Sequence, residues 1–206
     1  MILDWNTEAA PANVDAAFTA PAPTADVPAP VPLLRHPRRT EPLALACAAA
    51  AFLSHPLGVD AAFAAFMAAV LVVLAATDIE RRIIPNRVVL PAAAVMLVGH
   101  VIVSPGASIQ YLLAGLCAAG VFLIPNLINR SWMGMGDVKL ILLLGVGLGS
   151  GVVEALAIAF VAQFPVALAT VIRGGAAARK TKLPFGPFLA LGGLIVLIVP
   201  HIVGAG

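Results

Sequence analysis

Charge is what this sequence has least of. Asp, Glu, Lys and Arg together make up 11% of its 206 residues, while 61% are hydrophobic; a soluble domain is nearer a quarter charged. That deficit excludes an ordinary water-soluble globule and points to a bilayer. The net charge of +2 is too small to argue for a nucleic-acid partner. Cysteine is almost missing as well. Cys47 and Cys117 stand alone inside apolar runs, and no Cys-x-x-Cys pair exists, so no zinc module is visible and both read as small core hydrophobes. Residues 1–34 carry no Lys or Arg and therefore lack the basic start of a secretory signal. They are rich in Ala and Pro, with only acidic charges, and such a composition cannot bury a core.

What is present instead is a series of apolar runs: Leu43–Leu57, Ala61–Thr77, Val88–Val103, Ile109–Ile128, Val138–Gly149, Val152–Ile172 and Phe185–Val203. Short Gly- and Pro-containing turns separate them. Pro85 cannot sit in a helix interior, which makes Ile83–Asn86 a turn. Pro125 is expected to kink the end of its run. The expected fold is all-α, a polytopic transmembrane helix bundle of six to seven spans. Residues 1–42 are expected to form a disordered cytoplasmic tail and 43–206 a membrane-embedded domain. The count stays at six or seven because Leu43–Leu57 is short against the roughly 17–25 residues of a spanning helix and is broken by Ser54-His55-Pro56.

Lys and Arg set the orientation. With Arg35, Arg38 and Arg39 inside and each run crossing once, all 12 basic residues fall on the cytoplasmic side, and only Asp60 and Glu154 stay opposite. So one-sided a distribution is what the positive-inside rule describes. If the first run does not cross, the N-terminus moves outside. Asp78 and Asp137 share the cytoplasmic face in both cases.

These two carboxylates carry the chemistry. Ionisable groups at membrane depth are costly and mark functional sites. Asp78 ends one apolar run, where the helix dipole disfavours a carboxylate. Asp137 opens another behind Gly134 and Gly136, where the dipole favours one. Brought together, like charges cannot both ionise cheaply, so the pair would share a proton, with Asp78 its expected holder. One carboxylate then activates water as a general base and the other protonates a scissile carbonyl as a general acid. Gly134 and Gly136 would let backbone approach closely. Val138–Gly149 is too short to start at an interface, so Asp137 is expected below the headgroups in a wet pocket. Blander readings exist for each residue: Asp137 as a helix cap, Asp78 as a solvated flank paired with Arg81 or Arg82, and Lys139 as a side chain snorkelling to the interface.

Three segments occur in order: Asp78 with Arg82 and Ile84-Pro85-Asn86, then Gly134-Met135-Gly136-Asp137-Val138-Lys139-Leu140, then Leu183-Pro184-Phe185-Gly186-Pro187-Phe188-Leu189-Ala190. Over about residues 61–203 the chain resembles the type IV prepilin peptidases, the Gly-x-Gly-Asp membrane aspartic peptidases. The resemblance implies that Asp78 and Asp137 are catalytic. It also implies hydrolysis of the short basic leader of pilin-like precursors at the cytoplasmic face of a bacterial inner membrane, without metal or cofactor. Arg82, Pro85, Asn86, Gly134, Gly136, Lys139, Pro184, Gly186 and Pro187 match recurrent positions, with structural or substrate-positioning roles implied. Larger members add a four-cysteine zinc module and N-methylate the new terminus. That module is missing here, which puts the methyltransferase activity in doubt. The small form is similar to the enzyme of tight-adherence (Flp-type) pilus systems, which also processes pseudopilins. Pilin-like precursors and the lipid bilayer are therefore the expected partners.

Two other readings compete. A non-catalytic membrane scaffold or small transporter would use its charges only for topology. Presenilin-like intramembrane proteases share Gly-x-Gly-Asp, but the Pro-Ala-Leu run they carry near the last helix is missing here.

Overall fold

The computed structural model describes residues 37–128, 134–178 and 184–199. Among them every regular element is helical: α1 Pro37–Leu53, α2 Val59–Arg81, α3 Asn86–Val103, α4 Pro105–Ile128, α5 Met135–Leu148, a 3-10 turn Gly149–Gly151, α6 Val152–Ala178 and α7 Gly186–Ile198. Each of the seven apolar runs coincides with a helix. The expected tail up to residue 36, Arg35, the loop at 129–133 with Arg130, the basic stretch at 179–183 and the expected end of the last span at 200–203 lie outside the described residues.

Boundaries differ from the sequence expectation where polar residues prolong a helix. α1 starts at Pro37, inside the segment assigned to the tail, and stops at Leu53. α2 continues past Thr77, so Asp78 lies in its last turn. The helix ends because Arg82 takes the left-handed conformation (φ 54°, ψ 36°), from which its N–H donates to the Asp78 carbonyl at 2.8 Å. α3 begins directly after Pro85, whose carbonyl accepts from the Val88 and Val89 amides. α4 starts at Pro105, ahead of the expected Ile109, and Pro125 lies near its end inside the helix, as the run Ile109–Ile128 implies.

Length separates the helices into two groups. Val59–Arg81, Asn86–Val103, Pro105–Ile128 and the stretch Met135–Arg173 are long and apolar enough to cross a membrane. That is four, against the six to seven spans expected. The difference comes from α1, α5 and α7. α5 has 14 residues and α7 has 13, about 20 Å each at 1.5 Å per residue, short of the roughly 30 Å hydrocarbon core. The Met135–Arg173 stretch is itself interrupted at Gly149, where φ is +59°; that conformation needs a residue without Cβ, and the Tyr111 ring leaves no room for one.

Of the short helices, α5 and α7 are the inner ones, while α1 leaves Leu43, Leu45 and Leu53 exposed. Leu140, Ile141, Leu143 and Leu144 of α5 and Leu189 of α7 are fully buried, packed with Met67, Leu71 and Leu74 of α2 and with Val89 and Met96 of α3. A helix apolar all round belongs in such a core. α4 and α6 instead expose apolar side chains, among them Ile109, Leu113, Leu116, Val121, Val161, Phe164 and Ile172, as lipid-facing helices do. Lipid tails compete with side chains for apolar contact, so close packing has to supply the cohesion between helices.

Small residues make that packing possible. α4 and α5 cross at Gly115 and Gly145: a Cβ on Gly145 would stand 2.7 Å from the Gly115 nitrogen, and one on Gly115 would meet the Val146 side chain. Gly145→Ala is therefore expected to destabilise the bundle by about 1–3 kcal/mol, the usual cost of overpacking. Gly120→Ala, on the same helix as Gly115 but with nothing within 4 Å, should leave the unfolding midpoint in detergent unchanged. Equal midpoints for both variants would mean that this crossing does not carry the packing.

Candidate active site

Asp78 is placed by three elements. Its backbone belongs to the last turn of α2, just after Thr77, whose Oγ1 donates to the Leu74 carbonyl at 2.9 Å. The second element is the turn that follows, where the Arg82 amide donates to the Asp78 carbonyl at 2.8 Å; the Asp78 side chain is only 6% exposed, which rules out a solvated flank. The third element is the N-terminus of α7. The Gly186 amide faces the Asp78 carboxylate, and the Arg82 charge acts on it as well. A Cβ on Gly186 would stand 2.6 Å from Oδ2 and 3.0 Å from Cγ of Asp78. Oδ2 itself is buried without a hydrogen-bond partner among the described residues. Phe185 caps α7 and is buried against Phe160, ring centroids 5.3 Å apart. Pro187 sits in the first turn, where its missing N–H costs nothing. The half-buried Pro184 leads into this cap.

Asp137 is the third residue of α5, counted from the cap Gly134. Its N–H donates to the Gly134 carbonyl at 3.1 Å, and its carboxylate turns back toward the Gly134 amide. This is the acidic half of a capping box, so the blander reading of Asp137 as a cap holds as far as it goes. A cap alone does not face another carboxylate, however, and Asp78 acts electrostatically on Asp137. The end of α2, the start of α5 and the start of α7 thus meet around one pair of acids.

The turn between α2 and α3 closes the site. Ile84 is buried and packs on Gly136, where a Cβ would stand 3.0 Å from the Ile84 Cβ. Lys139 Nζ donates to Asn86 Oδ1 at 2.8 Å. Arg82 is exposed at the rim and is the one non-glycine residue with positive φ among the described residues. All eleven residues singled out in the sequence, from Asp78 to Pro187, therefore lie in or beside the three chain segments that converge here.

Two features could not be read in advance. One is the packing of Ile84 on Gly136, since Ile84 entered the sequence analysis only as a member of the Ile84-Pro85-Asn86 segment. The other is the N-terminus of α7 at Asp78. Asp78 was judged by the dipole of its own helix, which disfavours a carboxylate; the opposite end of another helix faces it, which removes the asymmetry on which the placement of the shared proton rested.

A cavity of about 320 Å³ lies at the other end of α2 and α5, lined by His55, Asp60, Phe63, His100, Tyr111 and Gly147 among others. It is not the better candidate. No three His, Cys, Asp or Glu side chains converge to hold a metal ion among the described residues, and His100 is engaged in stacking on Tyr111 at 3.8 Å.

A family model for the type IV leader peptidases matches residues 65–172. The chain belongs to that family. The match covers just over half of the sequence and contains Asp78, the Arg82–Asn86 turn and Gly134–Lys139, so the resemblance drawn from those residues is borne out; the Pro184–Pro187 turn lies beyond it. No curated protein and no solved structure is a match. Together with four helices able to cross a bilayer, membership makes this a membrane protein of a peptidase family.

Gly186 generates a sharp expectation. Gly186→Ala would push the carboxylate of Asp78 away from the α7 amide. Peptidase activity should fall by about 100-fold, the cost of an ångström-scale misplacement, while the thermal unfolding midpoint changes little. Activity retained in a folded Gly186→Ala protein would show that this contact does not set the position of Asp78.

Proposed function

We propose that the protein is a prepilin leader peptidase of the aspartic type, with Asp78 and Asp137 as its catalytic pair. The observation that carries this reading is the meeting of two carboxylates, from the end of α2 and the start of α5, in a chain with so few charges. One carboxylate takes a proton from water as the water oxygen attacks the scissile carbonyl carbon. The other gives its proton to the carbonyl oxygen. The tetrahedral diol then collapses: the protonated acid gives its proton to the amine nitrogen, the C–N bond breaks, and a diol hydroxyl passes its proton to the other carboxylate as the carbonyl re-forms, which returns the pair to its shared-proton state. Each step uses only water and the two acids.

The family and the charges support the following substrate and side. The leader of a pilin-like precursor, including Flp-type pilins and pseudopilins, would be cut at the cytoplasmic face of a bacterial inner membrane. That is the face where the basic residues collect under the positive-inside rule. The six to seven spans of the expected topology require α5 and α7 to cross as short, protein-covered helices, and their burial in the core favours this. Methyl transfer is not part of the proposal, because the cysteine module that accompanies it in larger members is missing from the sequence. The alternative, a non-catalytic scaffold or small transporter, gives no reason for a carboxylate as buried as Asp78.

The test is leader removal from a pilin-like precursor in detergent or proteoliposomes, read by product mass. Asp78→Ala and Asp137→Ala should each lower the rate by roughly 10²–10⁴-fold, the usual worth of general acid–base catalysis. Cleavage that survives both substitutions would end the aspartic-peptidase reading. An uncut precursor with folded wild-type protein would favour the scaffold or another substrate.

A further inference from the structure

We propose that Lys139 is a positioning residue, which holds Asp137 opposite Asp78 through its bond to Asn86. This rests on the peptidase reading above and assigns part of its machinery.

The path between the two carboxylates can be followed bond by bond. Asp78 is tied to the turn after α2, because its carbonyl accepts the Arg82 amide at 2.8 Å. That turn runs through the buried Ile84 to Asn86, the first residue of α3. Two contacts join it to α5. Ile84 packs against Gly136, and Asn86 Oδ1 accepts from Lys139 Nζ at 2.8 Å. Residues 136 and 139 are three apart on a helix and so share one face. Asp137 follows the first contact and precedes the second. The buried side chains from Val138 onward hold α5 in the core, and the two contacts add a fixed register between its first turn and the turn after α2. That register sets the direction of the Asp137 side chain.

Neither blander role of Lys139 accounts for the geometry. A lysine that only snorkels ends in water and needs no particular acceptor. Here the ammonium meets one amide oxygen from a residue 53 positions away in sequence. A donor that is charged also makes this bond stronger than a neutral one. The hydrophobic contact of Ile84 on Gly136 resists separation, but it has no preferred direction along the helix; the hydrogen bond supplies that direction.

The experiment uses the full chain in detergent, with wild type, Asn86→Ala, Lys139→Met, the double variant and Asn86→Asp, all assayed for leader removal. For Asn86→Ala and Lys139→Met the expectation is a kcat loss of about 10- to 100-fold with KM little changed, in line with the cost of small misplacements. The double variant should be no worse than the poorer single one, because both remove the same bond. Asn86→Asp keeps an oxygen acceptor and should retain most of kcat. Additive losses, or a raised KM with kcat intact, would make Lys139 a substrate contact and overturn the proposal. Unchanged kinetics in all variants would also overturn it, in favour of snorkelling.

A readout independent of activity separates this proposal from the peptidase reading. In a chain carrying Cys47→Ala, Cys117→Ala, Asp78→Cys and Asp137→Cys, a short bismaleimide should cross-link positions 78 and 137. Adding Lys139→Met should reduce the cross-linked fraction several-fold. The same fraction with and without Lys139→Met would overturn the proposal even if the wild-type protein cleaves, and a reduced fraction would sustain the positioning role even if no precursor is cut.

Discussion

A carboxylate removed from water must be given donors by the protein, and that constraint shapes this bundle. An unpaired buried ion costs several kcal/mol, and a chain with 11% charged residues has few side chains to offer. Backbone amides at helix N-termini are the available substitute. Asp137 uses the N-terminus of its own helix, turning back on Gly134. Asp78 stands at the wrong end of α2 and is served by the N-terminus of α7. For both amides to reach their carboxylates, α5 and α7 must begin where the acids are, with no Cβ in the way at Gly186 and little room for one at Gly134.

The short length of α5 and α7 follows from the same requirement. A helix that starts at the depth of a buried acid cannot also run the full thickness of the bilayer. Its residues are instead enclosed by longer neighbours, and Leu140, Ile141, Leu143, Leu144 and Leu189 lose all contact with solvent or lipid. The longer α4 and α6 take the lipid-facing positions. Glycines at the crossings, Gly115 with Gly145 and Gly192 against Ala155, let backbones come near enough for dispersion forces to act over many atoms. Site and packing are thus one arrangement: the helices that carry or cap the acids are the ones the bundle is wrapped around.

Rarity made much of this legible in the sequence. Asp78 and Asp137 stood out because charges inside apolar runs are few, Gly134 and Gly136 because glycine permits close backbone approach, and Pro85 because proline restricts the backbone. Helix identity was equally plain, since seven apolar runs are set apart by short Gly- and Pro-containing turns. The hidden parts are those that depend on distance along the chain. Nothing near Asp78 in sequence points to Gly186, and the pairing of Asn86 with Lys139 spans 53 residues. Helix ends were misjudged for a different reason. Hydrophobicity falls at Thr77, but Asp78, Ile79, Glu80 and Arg81 remain helical because a helix makes its backbone bonds internally, whatever surrounds its side chains. Length and composition alone pick out four helices able to cross, and the number of spans is not read from a short apolar run, which looks the same whether lipid or protein surrounds it.

Arg82 shows how tightly the turn is specified. A left-handed backbone costs a residue with a side chain about 1–2 kcal/mol, and glycine is the ordinary solution. Here the position is held by arginine at φ 54°. Glycine would end α2 as well, and would leave the backbone bond from residue 82 to the Asp78 carbonyl intact. It would not bring a positive charge to bear on Asp78 or keep a cation at the rim. The Arg82 side chain thus adds a positive charge near Asp78 that glycine would not. The same residue stops the helix, ties the turn to Asp78 and sets the field around it, which is why the turn from Arg82 to Asn86 connects to both carboxylates at once.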